Sequence, residues 1–323
     1  MRRVSNFFHA CALVAAASFA APSSAQDAFP SRTIRIVVGT AAGGSSDVTA
    51  RVLATQLQAD LKQPVIVENR AGASGAIAAA FVAKAPPDGY TILFGTGSTN
   101  VIAPAMTKDI AYDPIKDFSP LVFVGRAPFV LITGRESKLR TLADVVAAAR
   151  ARPGQVTFGT TGPATVYEIA ALTLESLANV KFNHIPYKGF VPLQVDVASG
   201  LVDVAVGPID GFVKSDKVHV VASLGSKRAA ELPNTPSAGE AGMAGFDVPV
   251  WAALWAPANT PRPVVQALHA SLRKALARKD VQDSIQATGI YVEPGDEAML
   301  RKTVEDQFEG VKALMRKNGI QPQ

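Results

Sequence analysis

The chain has 323 residues, 48% of them hydrophobic and 18% charged, a balance that excludes a disordered polypeptide and predicts enough core for two domains. Its formal charge of +5 falls to +3, 30 basic against 27 acidic residues, once Arg2 and Arg3 leave with an N-terminal export signal. That mild excess favours encounters with anions, and with no dense Lys/Arg stripe it excludes nucleic acid as a partner.

Residues 1–25 carry the marks of that signal: the basic pair Arg2-Arg3, an apolar run from Cys11 to Ala20, and the small residues Ser23-Ser24-Ala25 before a cut expected near Gln26. Cys11 is the single cysteine and lies too early in the apolar run for lipid attachment, so the mature chain is expected to lack disulfide and thiol chemistry. No later stretch reaches the length of uninterrupted apolar sequence that a membrane span needs. Export without disulfides predicts a periplasmic location.

The mature chain then alternates strands with helices. A β-branched strand over 33–38 stops at the small-residue turn 39–46, ahead of a helix over 47–61 expected to bury Val48, Val52, Leu53 and Leu57. A strand over 64–67 and a helix over 75–83 follow. The strand over 91–94 empties into a second loop, Gly95-Thr96-Gly97-Ser98-Thr99-Asn100. After a strand over 118–124, Thr141 and Asp144 announce a capping box for the helix over 142–151, which Pro153-Gly154 closes. A strand over 156–158 ends in a third loop, 159–165, before a helix over 166–177. Strands over 182–185, 202–206 and 218–223 enclose a helix over 192–198. Helices over 261–279, 281–287 and 297–317 finish the chain, the first with Thr260 as N-cap and Pro261 at N1, the other two stopped by Gly289 and Gly319. This alternation predicts parallel α/β layers. No Pro/Gly/Ser linker divides the chain, so the domains are expected to share more than one crossing.

The three loops share one chemistry. Glycine admits a ligand close to the backbone, free N–H groups at a helix start bind carboxylate or phosphate oxygens, and Ser and Thr hydroxyls add donors. Open α/β sheets place ligands at the carboxyl ends of strands, where these loops fall. Any one of them is equally an ordinary capped turn; three together favour a ligand. Catalytic signatures are missing. Gly95-Thr96-Gly97 lacks the third glycine of a dinucleotide fingerprint, and Gly72-Ala73-Ser74-Gly75 is offset from a nucleophile elbow. His184, His219 and His269 have no metal-ligand spacing, and Asp113, Asp117, Asp196, Asp203 and Asp210 form no catalytic pair, so neither metal nor cofactor is expected.

Several blocks resemble the Bug/TctC family, the periplasmic solute-binding receptors of tripartite tricarboxylate transporters. They are Phe29-Pro30-Ser31-Arg32-Thr33-Ile34-Arg35-Ile36-Val37-Val38, Ala42-Gly43-Gly44 with Asp47, Val65-Ile66-Val67-Glu68-Asn69-Arg70 and Pro87-Asp88-Gly89-Tyr90-Thr91. Further on come Tyr112-Asp113-Pro114, Lys116-Asp117-Phe118, Ala151-Arg152-Pro153-Gly154, His184-Ile185-Pro186-Tyr187-Lys188-Gly189, and Trp251 ahead of Ala256-Pro257 and Thr260-Pro261. The resemblance implies a two-lobed α/β periplasmic-binding-protein fold that closes like a Venus flytrap, each lobe a mainly parallel sheet flanked by helices. Lobe 1 would comprise residues 26–126 plus 249–323, and lobe 2 residues 127–248. It further implies a small organic carboxylate as ligand, membrane permease subunits as partners, a monomer, and no chemistry of its own. A sensory receptor signalling to a membrane kinase and an enzyme on the same fold are the alternatives.

By the same resemblance the carboxylate is gripped by Thr40, Ala42, Gly43, Gly44 and Ser45 from the first loop and by Thr96, Ser98 and Thr99 from the second. The third loop would supply Thr160, Thr161, Gly162, Thr165 and Tyr167. Gly207 stands where the family frequently has an aspartate that meets a ligand amino group. The first turn lacks the family's two prolines, Pro163 removes one N–H donor, and Tyr167-Glu168 replace the usual Gln-His pair. These departures imply a carboxylate with an apolar or aromatic body against Tyr167 or Phe190 rather than an amino acid.

Overall fold

The computed structural model describes residues 29–322 apart from 226 and 249, so the export signal and Cys11 lie outside the described residues. The chain divides into a unit ending at Ser31 and a unit from Arg32 onward, which holds every strand and helix named below. No helix of the described residues is long and apolar enough to cross a membrane.

In chain order the elements are β1 (Ile34–Val38), α1 (Ser45–Leu61), β2 (Val65–Asn69), α2 (Ala76–Ala83), β3 (Thr91–Thr96), α3 (Ala103–Met106), β4 (Phe118–Ala127) and β5 (Phe129–Gly134). They continue with α4 (Leu142–Ala151), β6 (Thr157–Thr160), α5 (Val166–Ala178), β7 (Asn183–Pro186), α6 (Phe190–Ser199), β8 (Val204–Pro208) and β9 (Val218–Ser223). The last are β10 (Val250–Pro257), α7 (Arg262–Leu276), α8 (Lys279–Gln286), β11 (Tyr291–Gly295) and α9 (Glu297–Asn318).

Two sheets result, ordered β11-β4-β10-β3-β1-β2 and β7-β6-β8-β5-β9. Only Pro128 separates β4 from β5, so the chain passes from the first sheet to the second within one residue and returns through 224–249 into β10. A hydrophobic cluster runs through both, with Phe123, Trp251 and Trp255 from the first and Leu131, Phe158 and Phe129 from the second.

The sheets are mixed rather than mainly parallel. β2-β1-β3 and β7-β6-β8 are parallel, whereas β10 runs antiparallel to β3 and β4, β11 to β4, and β5 to β8 and β9. Parallel neighbours need a helical crossover between them. β5 and β10 arrive directly from the other sheet, with no crossover to turn the chain around. These two strands and β11 are also the ones the sequence pattern missed. β5 is buried throughout and β10 nearly so, and a continuous apolar run shows no alternation to identify a strand. β11 ends in Pro294-Gly295 and shifts register there, as an edge strand can.

All strands and helices expected from the sequence are present. Two local readings change. α1 buries Ala50, Leu53, Ala54 and Leu57, while Val48 is 39% exposed, because small residues let the helix pack closely against its neighbours. Pro261, not Thr260, is the N-cap of α7; the buried Thr260 hydroxyl donates instead to the Pro257 carbonyl at 2.7 Å.

Candidate ligand-binding site

The first loop is held from within by Asp47, third residue of α1, whose side chain is 3% exposed. Its carboxylate accepts the Gly43 N–H (2.9 Å), the Asn69 amide (3.0 Å) and the Arg51 Nε–H (3.0 Å), and Asn69 also donates to the Thr40 carbonyl. The Arg51 hydrogen bond holds the Asp47 carboxyl down at about 2, against the opposing push of burial and with further help from Gly43 and Asn69. Beside this turn, Gly39 meets Gly75: a Cβ on Gly39 would lie 2.7 Å from the Gly75 Cα, so only glycine lets the two loops close together.

The second loop is fastened to that junction. Thr99 donates its hydroxyl to the Ser74 carbonyl (3.3 Å) and its N–H to Thr96 Oγ1 (3.3 Å). The chain then makes a wide π turn over Ser98–Ile102, of the kind often found at functional sites.

The third loop repeats the logic of the first. Thr165 caps α5 by accepting the Glu168 N–H and donates to the Gly162 carbonyl (2.8 Å). Glu168, third residue of the helix, reaches back to the Ala164 N–H (2.8 Å), and burial pushes its carboxyl upward. In both helices the acidic third residue ties down the loop. The N–H groups of the first turn, Ser45 and Ser46 in α1, Val166 and Tyr167 in α5, stay outside the intrahelical ladder.

A cavity of about 620 Å³ opens where these loops meet. Of the residues singled out from the sequence, Thr40, Thr96, Ser98, Thr99, Thr161, Thr165 and Tyr167 line it. Ala42, Gly43, Gly44, Ser45, Thr160, Gly162 and Gly207 lie outside the lining. Gly43 adopts a φ of +84° and faces open space, Gly44 is the N-cap of α1, and the Ser45 hydroxyl donates to the Thr288 carbonyl at 2.7 Å. Thr160 is 3% exposed within β6, its carbonyl bound to the Tyr187 N–H. Gly207 lies under the ring of Phe190, which fills the place a side chain would take.

Sequence reasoning missed two groups. Ser46 and Ser74 add hydroxyls beside Gly44 and Gly75, and their small-residue setting was a usable signal. The second group is an apolar wall of Ile102, Val166, Ile169, Val248, Val311 and Leu314, with Asp247 and Gln307 set into it. Its members come from distant parts of the chain and share no local pattern. Tyr167 joins a run of rings, 5.4 Å from Phe129 and 5.6 Å from Phe190 between centroids, and burial pushes its phenol far above the ordinary value. Among the described residues no Lys, Arg or His lines the cavity, and no cluster of His, Cys, Asp and Glu could hold a metal ion. The donors open to an anion here are N–H and O–H groups rather than cationic side chains.

The sequence profile of the tripartite tricarboxylate transporter family receptor matches residues 49–320. Protein BugT of Bordetella pertussis is 33% identical over 310 residues, covering 95% of this chain and 95% of its own. Among solved structures, an R. palustris protein with adipate superposes with a TM-score of 0.81 at 27% identity, over 91% of this chain and 100% of that one. MatC from Rhodopseudomonas palustris with bound malate gives 0.78 at 30% identity, over 88% and 99%.

Proposed function

The chain belongs to the tripartite tricarboxylate transporter receptor family, and from that premise we propose that it captures a small organic carboxylate between two lobes and hands it, unchanged, to membrane permease subunits. One observation carries this reading. The N-terminal turns of α1 and α5, reached from different sheets, both contribute to one cavity that no cationic side chain lines. Helix N-termini carry partial positive charge and unpaired donors, so two of them can hold a carboxylate without a lysine or arginine. The Ser46, Ser98 and Thr161 hydroxyls, which line the cavity, supply further donors to it. The adipate and malate in the two relatives are ligands of this chemistry.

The ligand would reach this site in the periplasm after export of the chain. The lobes, one on each sheet, would close over it; the Ser74 hydroxyl already lies 3.5 Å from the Pro163 carbonyl, joining the loop before α2 to the loop before α5. The test is a melting-temperature screen of mono- and dicarboxylates on the mature protein, with the bound compound recovered and examined by NMR. One or a few carboxylates should stabilise the protein and return intact. Conversion of any bound compound, or stabilisation by none, defeats the reading.

A further inference from the structure

We propose that Asp247 forms a second polar subsite of this cavity, one that takes a protonated amine carried by the ligand at the end opposite its carboxylate. The inference rests on the carboxylate-receptor reading and goes beyond it to the ligand's other end. Asp247 lies in the segment that leads back into β10, between Phe246 and Val248, which are 1% and 6% exposed. Its side chain is exposed where theirs are buried, and both Asp247 and Val248 line the cavity. The segment is fixed, because the Phe246 carbonyl accepts the Gly225 N–H at 2.9 Å and Phe246 belongs to the main hydrophobic cluster.

The carboxylate has no hydrogen-bond donor among the described residues. Arg126 acts on its charge, yet gives its Nε–H to Glu293 at 3.2 Å. The protein packed around Asp247 raises its pKa, with Arg126 offsetting part of the rise, while the side chain keeps access to solvent through the open cavity. Among the described residues the cavity wall supplies no cation to pair with it. Gln307 beside it offers no competing acceptor, since its Oε1 is bound to the indole N–H of Trp251 at 2.7 Å. Among the described residues Asp247 is thus the one charged acceptor in the lining, set in an apolar wall, while the loops at α1 and α5 provide donors. A ligand with a carboxylate, an apolar spacer and a terminal ammonium satisfies both. A second carboxylate at that end would meet like charge. Gly207 removed one place for an amino group, and Asp247 supplies another from a different strand connection.

Three probes of matched length, ε-aminocaproate, caproate and adipate, together with the next shorter and longer homologue of each, separate the possibilities by calorimetric titration. The ammonium compounds should bind roughly tenfold or more tightly than the dicarboxylates. Asp247→Asn, and Asp247→Ser as a second variant, should abolish that preference while leaving the affinity for the monocarboxylates and the unliganded melting temperature near the parent values. Tighter binding of dicarboxylates by the parent, above all if it strengthens as the pH falls, would mean that Asp247 shares a proton with a second carboxylate, and the proposal fails. An ammonium preference that survives both substitutions also overturns it. If carboxylates bind without regard to the distal group, this subsite alone is lost; if none of the probes binds, the carboxylate reading falls with it.

Discussion

Asp47 is the residue on which the first loop depends, and its pKa makes that dependence measurable. Its folded value of about 2 lies below the ordinary 3.8, so its stabilisation is complete above 3.8 and is lost as the pH falls through about 2. Arg51 is half exposed, and solvent screening leaves a contribution of about 1 kcal/mol. Urea unfolding of the parent and Asp47→Asn should converge as the pH is lowered through that window; parallel curves would show that the carboxylate charge is not what holds the turn. Thr161 and Thr165 offer a second contrast. The Thr165 hydroxyl is engaged as a helix cap, so Thr165→Ala should cost about 1 kcal/mol of stability. Thr161 lines the cavity with no such duty, so Thr161→Val should leave stability intact and weaken carboxylate binding roughly tenfold. Gly43→Ala should cost about 1 kcal/mol through its positive φ, with no loss of affinity, since the residue lies outside the lining.

α5 contributes Val166, Tyr167, Ile169 and Thr173 to the cavity and is fastened at both ends. At its start Thr165 and Glu168 close the turn. Near its end Glu175, whose side chain is 3% exposed, accepts the Phe182 N–H at 2.7 Å and the Lys181 ammonium at 3.0 Å and meets His184 Nε2 at 3.2 Å, which pins the helix to the approach of β7. Burial alone would raise the Glu175 pKa, yet His184, the Phe182 N–H and Lys181 together bring it below the ordinary value. Glu175→Ala orphans the buried Phe182 N–H and should cost about 2–3 kcal/mol, measured by urea unfolding at neutral pH. Titration of the same variant with a carboxylate should show an unchanged affinity, because Glu175 is outside the cavity. A matched loss of both would mean that α5 is positioned from its far end.

For the whole molecule, the closure proposed above turns on the difference in affinity between open and closed arrangements, since a ligand would move that equilibrium only by binding one better than the other. α9 spans the two halves: Leu300, Val304, Val311 and Met315 form its buried stripe, Gln307 holds Trp251 of β10, and Lys317 donates to the Ser176 carbonyl of α5. A carboxylate at 100 times its Kd should stabilise the protein by about 2.7 kcal/mol. Solution X-ray scattering should report a smaller radius of gyration in the same sample. Stabilisation with unchanged scattering would mean that the ligand enters a cleft already shut.

The alternation of β-branched runs with helical patterns, the Thr141–Asp144 capping box and the glycine and hydroxyl content of three strand-end loops are local properties, so the sequence by itself determined the α/β class, nearly every element and the three loops that meet at the cavity. Local pattern could not say which of two neighbours in an extended segment faces the cavity. Thr160 and Thr161 differ by one residue, and burial within β6 turns the first away from the cavity while the second lines it. Nor did it reveal the mixed strand directions, which follow from β5 and β10 entering each sheet from the other. The apolar wall and Asp247 were decided by the tertiary structure alone. Their residues lie far apart in the chain and become one surface only when β10 is inserted between β3 and β4 and α9 packs back across α5.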